Sequence, residues 1–164
     1  MAETAMTFQD LGLSEAMRKA LEKKGYGYPT SVQREAIPPL LAWKDVIAKA
    51  PTGTGKTFAF GIPMIEHVNP ESSDVQGLIL APTRELAIQI DENLHAYGKN
   101  LPLTEAVIFG GVGQAPQVDQ LKRGVDILTA TPGRLLDLAG QGLLDLSKVE
   151  IFVLDEADRM LDMG

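Results

Sequence analysis

The sequence predicts an α/β fold in which one parallel β-sheet carries helices on both faces. Two observations predict it. First, short apolar runs recur at Val46-Ile47-Ala48, Leu78-Ile79-Leu80-Ala81, Ala106-Val107-Ile108-Phe109, Asp126-Ile127-Leu128-Thr129-Ala130 and Ile151-Phe152-Val153-Leu154. They are continuous rather than alternating, the pattern of strands buried on both faces. Second, stretches with helical spacing separate them, and an alternation of strand and helix builds right-handed crossover units around a parallel sheet.

The elements follow in chain order. Leu13, Ala16, Met17, Ala20 and Leu21 recur at helical spacing, with Ser14 as N-cap and Gly25 as stop. A second helix is expected from about Val32 to Leu41. Further helical patterns run from Lys56 to Glu66, Arg84 to Tyr97, Pro116 to Arg123 and Gly133 to Ala139. The Arg84 helix places Leu86, Ala87, Ile90, Leu94 and Tyr97 on one face. In such sheets ligands bind beyond the carboxyl ends of the strands, which locates the site before any motif is named.

Composition bounds the function. The 164 residues fit one domain, large enough to bury a real core. Apolar residues at 45% and charged residues at 23% exclude a disordered chain. There is no cysteine, hence neither disulfide nor thiolate metal site. No apolar run approaches the ~18 residues that span a bilayer, and the N-terminus lacks the basic start and apolar stretch of a signal peptide. A cytoplasmic protein without membrane contact is expected. The net charge of −7 opposes nucleic-acid binding by the molecule as a whole, so any such binding must rest on local residues.

The Lys56 helix follows Ala50-Pro51-Thr52-Gly53-Thr54-Gly55-Lys56-Thr57, a Walker A loop. Its glycines let successive N–H groups turn inward on phosphate oxygens, and the helix adds its positive dipole end. Thr52, Gly53, Thr54 and Gly55 cradle the phosphates, Lys56 reaches the β- and γ-phosphates, and the Thr57 hydroxyl ligates Mg²⁺. The alternative is a glycine-rich turn that merely opens a helix. The strand Ile151–Leu154 runs into Asp155-Glu156-Ala157-Asp158. An acidic pair at a buried strand's end is the Walker B arrangement: Asp155 holds the metal and Glu156 orients or deprotonates the attacking water. An acidic helix N-terminus is the plainer reading. Glycoside hydrolysis is set aside, because adjacent carboxylates rarely face each other across a sugar.

Asp155-Glu156-Ala157-Asp158 after this Walker A loop resembles the signature of the DEAD-box RNA helicases, and the resemblance covers essentially the whole chain. It implies a RecA-like P-loop domain, with residues 1–34 as an adenine-recognition segment and 35–164 as part of the first RecA-like domain. Gly25-Tyr26-Gly27-Tyr28-Pro29-Thr30-Ser31-Val32-Gln33 is similar to that family's adenine segment. By resemblance Tyr26 packs on the base, Gln33 reads its edge, and Phe8 is the isolated upstream aromatic; an amide suits adenine because it donates and accepts together. Pro82-Thr83-Arg84, Gly110-Gly111 and Thr131-Pro132-Gly133-Arg134 resemble the family's RNA-contact motifs, which grip sugar-phosphate of single-stranded or duplex RNA without reading sequence. Thr131-Pro132-Gly133-Arg134 reads equally well as a turn and helix N-cap. Asp158 would couple the site to the rest of the enzyme.

Two local departures from the family pattern stand out. Trp43 precedes Lys44-Asp45 where the family has glycine; tryptophan cannot cheaply take a positive φ, so a locally different turn is expected. Pro51 replaces a common glutamine and removes one N–H from the phosphate loop. The family's Ser-Ala-Thr motif and its second RecA-like domain, with the arginine fingers, are not in this sequence. The fragment is therefore expected to bind ATP weakly and to hydrolyse it poorly. Other readings are a different P-loop motor acting on DNA, which would lack the Gln33 segment, and a non-catalytic RNA or protein clamp, which would not need Lys56, Asp155 and Glu156.

Overall fold

A computed structural model describes residues 7–23, 25, 28–44, 46, 56–69, 71–98, 101 and 103–154. The chain divides into two compact units, Met1–His67 and Val68–Gly164. Among the described residues no helix is long and apolar enough to cross a membrane.

The first unit opens with a 3-10 turn over Phe8–Leu11, followed by α1 (Glu15–Lys23), α2 (Ser31–Leu41) and α3 (Lys56–His67). Its apolar residues meet at the expected helical spacing: Met17, Leu21, Ile37, Ile62 and Met64 are fully buried, and α2 packs on α3. Ser14 caps α1 as expected, its Oγ accepting the Met17 N–H at 3.2 Å. Its own N–H and O–H both donate to the Glu66 carboxylate, each at 2.7 Å. A carboxylate at a helix N-terminus also complements the dipole. Gly25 has φ +82°, the left-handed conformation that ends a helix. Of the strand expected at Val46-Ile47-Ala48, Val46 is irregular and the rest lies outside the described residues.

The expectation for Trp43 is corrected. Its φ is +62°, so it takes the left-handed conformation after all. α2 ends in a Schellman motif: Trp43 N–H donates to Leu40 O at 3.1 Å and Lys44 N–H to Pro39 O at 2.9 Å. The indole then stacks on His67, with centroids 3.8 Å apart, and His67 Nε2 donates to Leu40 O at 3.1 Å. A left-handed non-glycine residue costs about 1–2 kcal/mol, and a ring stack returns about 0.5–1.5 kcal/mol. The two nearly balance, so the turn keeps its shape without glycine.

The second unit is the sheet: β1 (Gly77–Leu80), β2 (Glu105–Ile108), β3 (Ile127–Ala130) and β4 (Ile151–Leu154), all parallel, in the order β2-β3-β1-β4. The connecting helices are α4 (Arg84–Gly98), α5 (Ala115–Arg123) and α6 (Pro132–Gly140). Central β3 is buried at every residue, matching its apolar run. β4 differs from the expectation of burial on both faces. It alternates, with Phe152 and Leu154 exposed on one face, and among the described strands it pairs only with β1 at the edge of the sheet.

At the amino ends of the strands, buried Asp126 accepts from Thr104 N–H at 2.9 Å and from Gln76 Nε2 at 3.1 Å. The starts of β1, β2, β3 and β4 are thereby tied together, since Gln76 O in turn accepts the Glu150 N–H at 2.9 Å. Between α4 and β2 lies a less settled cluster. Asp91 is pushed up to about 6 from 3.8, first by burial and then by the neighbouring Glu105 and Glu92 charges, with His95 opposing. Its Oδ1 has no hydrogen-bond partner, whereas His95 Nδ1 bonds Glu105.

Two outcomes follow. Because the folded pKa of Asp91 lies above its unfolded value, its stabilising contribution is full below about pH 4 and is lost as pH rises through about 6. Asp91→Asn should therefore be more stable than wild type at pH 7–8 by urea unfolding, the gain vanishing near pH 4. Trp43→Gly, which relieves the backbone, should exceed Trp43→Ala in stability by about 1 kcal/mol in the same measurement.

Candidate functional site

Parallel strands have one consequence for the site: all four carboxyl ends share an edge. In sheet order β2-β3-β1-β4, the segments leaving that edge are Gly110-Gly111, Thr131–Arg134, Pro82–Arg84 and the sequence beginning at Asp155. The three segments expected to contact RNA are thus brought together. Asp155, Glu156 and Asp158 lie outside the described residues, as do Tyr26 and Thr52, Gly53, Thr54 and Gly55 of the phosphate loop. Lys56 and Thr57 open α3, and their side chains are likewise outside what is described.

Two of these segments, at Thr83 and at Thr131, stand at the start of a helix. Thr83 caps α4, its Oγ1 accepting the Leu86 N–H at 3.2 Å, behind buried Pro82. Arg84 is exposed, and its guanidinium lies 4.7 Å above the centre of the Phe109 ring. That cation–π contact orients a cation at the edge and is worth about 0.5–1 kcal/mol in an exposed setting. Gly111 has φ +80°, which explains a glycine there. Gly110 and Gly133 have nothing within 4 Å of where a side chain would begin, so their backbone is approachable from outside.

Thr131 sits at the N-cap of α6 with extended backbone (φ −84°, ψ 146°), and Pro132 fills the first turn. The turn-and-cap reading of this tetrapeptide therefore holds for the backbone. The Thr131 hydroxyl, however, makes no capping bond. Arg134 is engaged within the protein: Nη2 donates to Val112 O at 2.7 Å and Nη1 to Gln117 Oε1 at 3.2 Å. Gln117 also donates through Nε2 to Phe109 O at 3.1 Å. Phe109 and Gln117 were not among the sequence-derived candidates. One signal was present for Gln117: it stands four residues before Leu121, a position that shares the inward face of α5.

On the first unit, Gln33 is buried at 4% exposure. Its Oε1 accepts the Thr30 N–H at 2.9 Å, while Thr30 Oγ1 accepts the Gln33 N–H at 3.4 Å. The pair forms a capping box at the start of α2, so the residue expected to read adenine also holds its own helix. Phe8 is buried at 5% in the 3-10 turn, and Thr7 and Asp10 cap that turn reciprocally. The Thr7 N–H and hydroxyl hold the exposed Asp10 carboxyl below its ordinary value. Among the described residues no group of three or more acidic or histidine side chains could hold a metal ion.

Comparison with known proteins adds to this geometry. A family model described as DEAD/DEAH box helicase matches residues 30–164. An ATP-dependent RNA helicase CshA of Limosilactobacillus reuteri is 46% identical over 159 residues, 97% of this chain and 32% of that protein. A DEAD-box ATP-dependent RNA helicase CshA of Geobacillus kaustophilus is 48% identical over 158 residues, 96% of this chain and 34% of that protein. The crystal structure of a DEAD box protein from the hyperthermophile Methanococcus jannaschii superposes with a TM-score of 0.91 at 43% identity, over 97% of this chain and 44% of that one. This bears out the expected RecA-like fold. The chain spans about a third of the length of the curated relatives it matches.

The capping box yields a ligand-free expectation. Gln33→Ala leaves the Thr30 N–H without its acceptor and should lower stability by about 1 kcal/mol in urea unfolding with no nucleotide present.

Proposed function

The chain belongs to the DEAD/DEAH box helicase family, and from that premise we propose that it is the nucleotide-binding lobe of an ATP-dependent RNA helicase. The observation that carries the proposal is the convergence of Thr83-Arg84, Gly110-Gly111 and Thr131–Gly133 on one sheet edge, beside the strand that leads into Asp155 and Glu156. Helices α4 and α6 begin at that edge, where N-terminal amides and positive dipole ends favour phosphate. Backbone N–H groups, a threonine hydroxyl and Arg84 can grip sugar-phosphate there without reading bases. The grip is local, which reconciles RNA binding with a net charge of −7.

In this reading ATP lies against the phosphate loop. Lys56 contacts the β- and γ-phosphates, and Thr52, Gly53, Thr54 and Gly55 present backbone amides to them. Thr57 and Asp155 would hold Mg²⁺; a hydroxyl and a carboxylate are hard oxygen ligands that suit this ion. When bound, the ion neutralises charge that develops on the transferred phosphoryl group. Glu156 orients the attacking water. Tyr26, Phe8 and the amide of Gln33 hold the adenine, while Asp158 couples the site to a second RecA-like lobe that completes it with arginine fingers. The partner is RNA, single-stranded or duplex, held through its backbone, and the setting is the cytoplasm.

Two measurements test the proposal. ATP should bind more tightly than GTP in a titration of this chain; equal affinities would contradict an adenine-reading Gln33. In the full-length protein, single-stranded RNA should raise the ATPase rate, and Glu156→Gln should lose about 100-fold or more of that rate while keeping ATP affinity. A rate indifferent to RNA would favour a clamp over a motor.

A further inference from the structure

We propose that Gln117 is a positioning residue for the RNA-gripping edge, and that Arg134 acts through the same loop rather than on a phosphate. The inference rests on the RNA-binding reading above and deepens it.

Gln117 is 8% exposed, yet both ends of its amide are used: Nε2 donates to Phe109 O at 3.1 Å and Oε1 accepts from Arg134 Nη1 at 3.2 Å. Arg134 Nη2 reaches Val112 O at 2.7 Å. The segment from Phe109 to Val112 is thus held by a carbonyl at each end, one by α5 and one by α6. A trans peptide points its C=O and N–H in opposite directions, and the described chain has no cis bond. Turning the Phe109 carbonyl onto Gln117 therefore aims the Gly110 N–H away from Gln117 on α5, and turning the Val112 carbonyl onto Arg134 aims the Gly113 N–H away from Arg134 on α6. At both glycines the space where a side chain would begin is open, so an anion can approach those amides. Amides presented together in this way form an anion-binding hollow. The same clamp fixes Phe109, whose ring carries Arg84.

The chemistry selects glutamine. A side-chain amide accepts from a guanidinium through its oxygen and donates to a carbonyl through its nitrogen at once. Glutamate keeps the first bond and loses the second; methionine, of similar shape, loses both.

The test uses the full-length protein and a short single-stranded RNA, with dissociation constants measured across a series of salt concentrations and ATP affinity measured without RNA. Gln117→Met should weaken RNA binding about tenfold at every salt concentration, leaving the salt slope and ATP affinity unchanged. Arg134→Gln should do the same, and the double variant should be no worse than either single one. Gln117→Glu, which keeps the Arg134 pair and guards against a folding defect, should still lose several-fold. Wild-type RNA affinity in both Gln117 variants overturns the proposal. So does a salt slope reduced by about 0.7 in Arg134→Gln, the mark of a lost phosphate contact on a single strand. Wild-type protein that binds no RNA sinks this inference together with the RNA reading, whereas RNA-binding wild type with indifferent variants sinks this inference alone.

Discussion

Everything at the candidate site depends on the register of a parallel sheet. Because β1 pairs with β3 and β4, and β3 with β2, in one direction, four segments separated by up to about 75 residues leave the sheet from a single edge. Reversing one strand would send its loop to the opposite side. The amino edge bears the bonds that hold this arrangement, with Asp126 and Gln76 tying the strand starts. The carboxyl edge is left for groups that face outward. In the proposed reading, structure and function are thus divided between the two ends of the same strands.

The carboxyl edge also shows how little of its chemistry is spent on bare side-chain charge. Arg84 is steadied by an aromatic ring, and Arg134 is committed to two acceptors of the protein itself. What remains is backbone: helix starts, a left-handed glycine and peptide planes turned by their carbonyls. A surface made in this way can hold phosphate within an acidic protein, because it relies on oriented dipoles at short range rather than on net charge.

The fold was largely legible. Apolar runs gave all four described strands to within one residue, since burial of the central strands leaves no room for polar alternation, and helical spacing gave all six described α-helices. The site was legible only as motifs. Thr30 and Gln33 show the spacing of a capping box, yet the resemblance drew Gln33 toward adenine alone; one amide can serve a helix and a ligand, and spacing does not say which. Trp43 was misjudged because its stacking partner, His67, lies 24 positions away in sequence and supplies an energy that no local rule contains. Gln117 was missed for a similar reason: a buried polar residue is recognised by its partners, and Phe109 and Arg134 come from other elements. The exposure of Phe152 and Leu154 on one face of β4 is likewise absent from the apolar run, which does not encode what covers each face.

The central claim is that the carboxyl edge of the sheet, and not its amino edge, is the surface that meets RNA. Hydrogen exchange of the full-length protein, with and without single-stranded RNA, reads backbone amides on both edges at once. The account predicts slowed exchange at residues 83–84, at residues 110–113, at Thr131 and at Gly133, with no change at Gln76, Thr104 and Asp126. Protection at the amino edge instead, or none at residues 110–113, would contradict it.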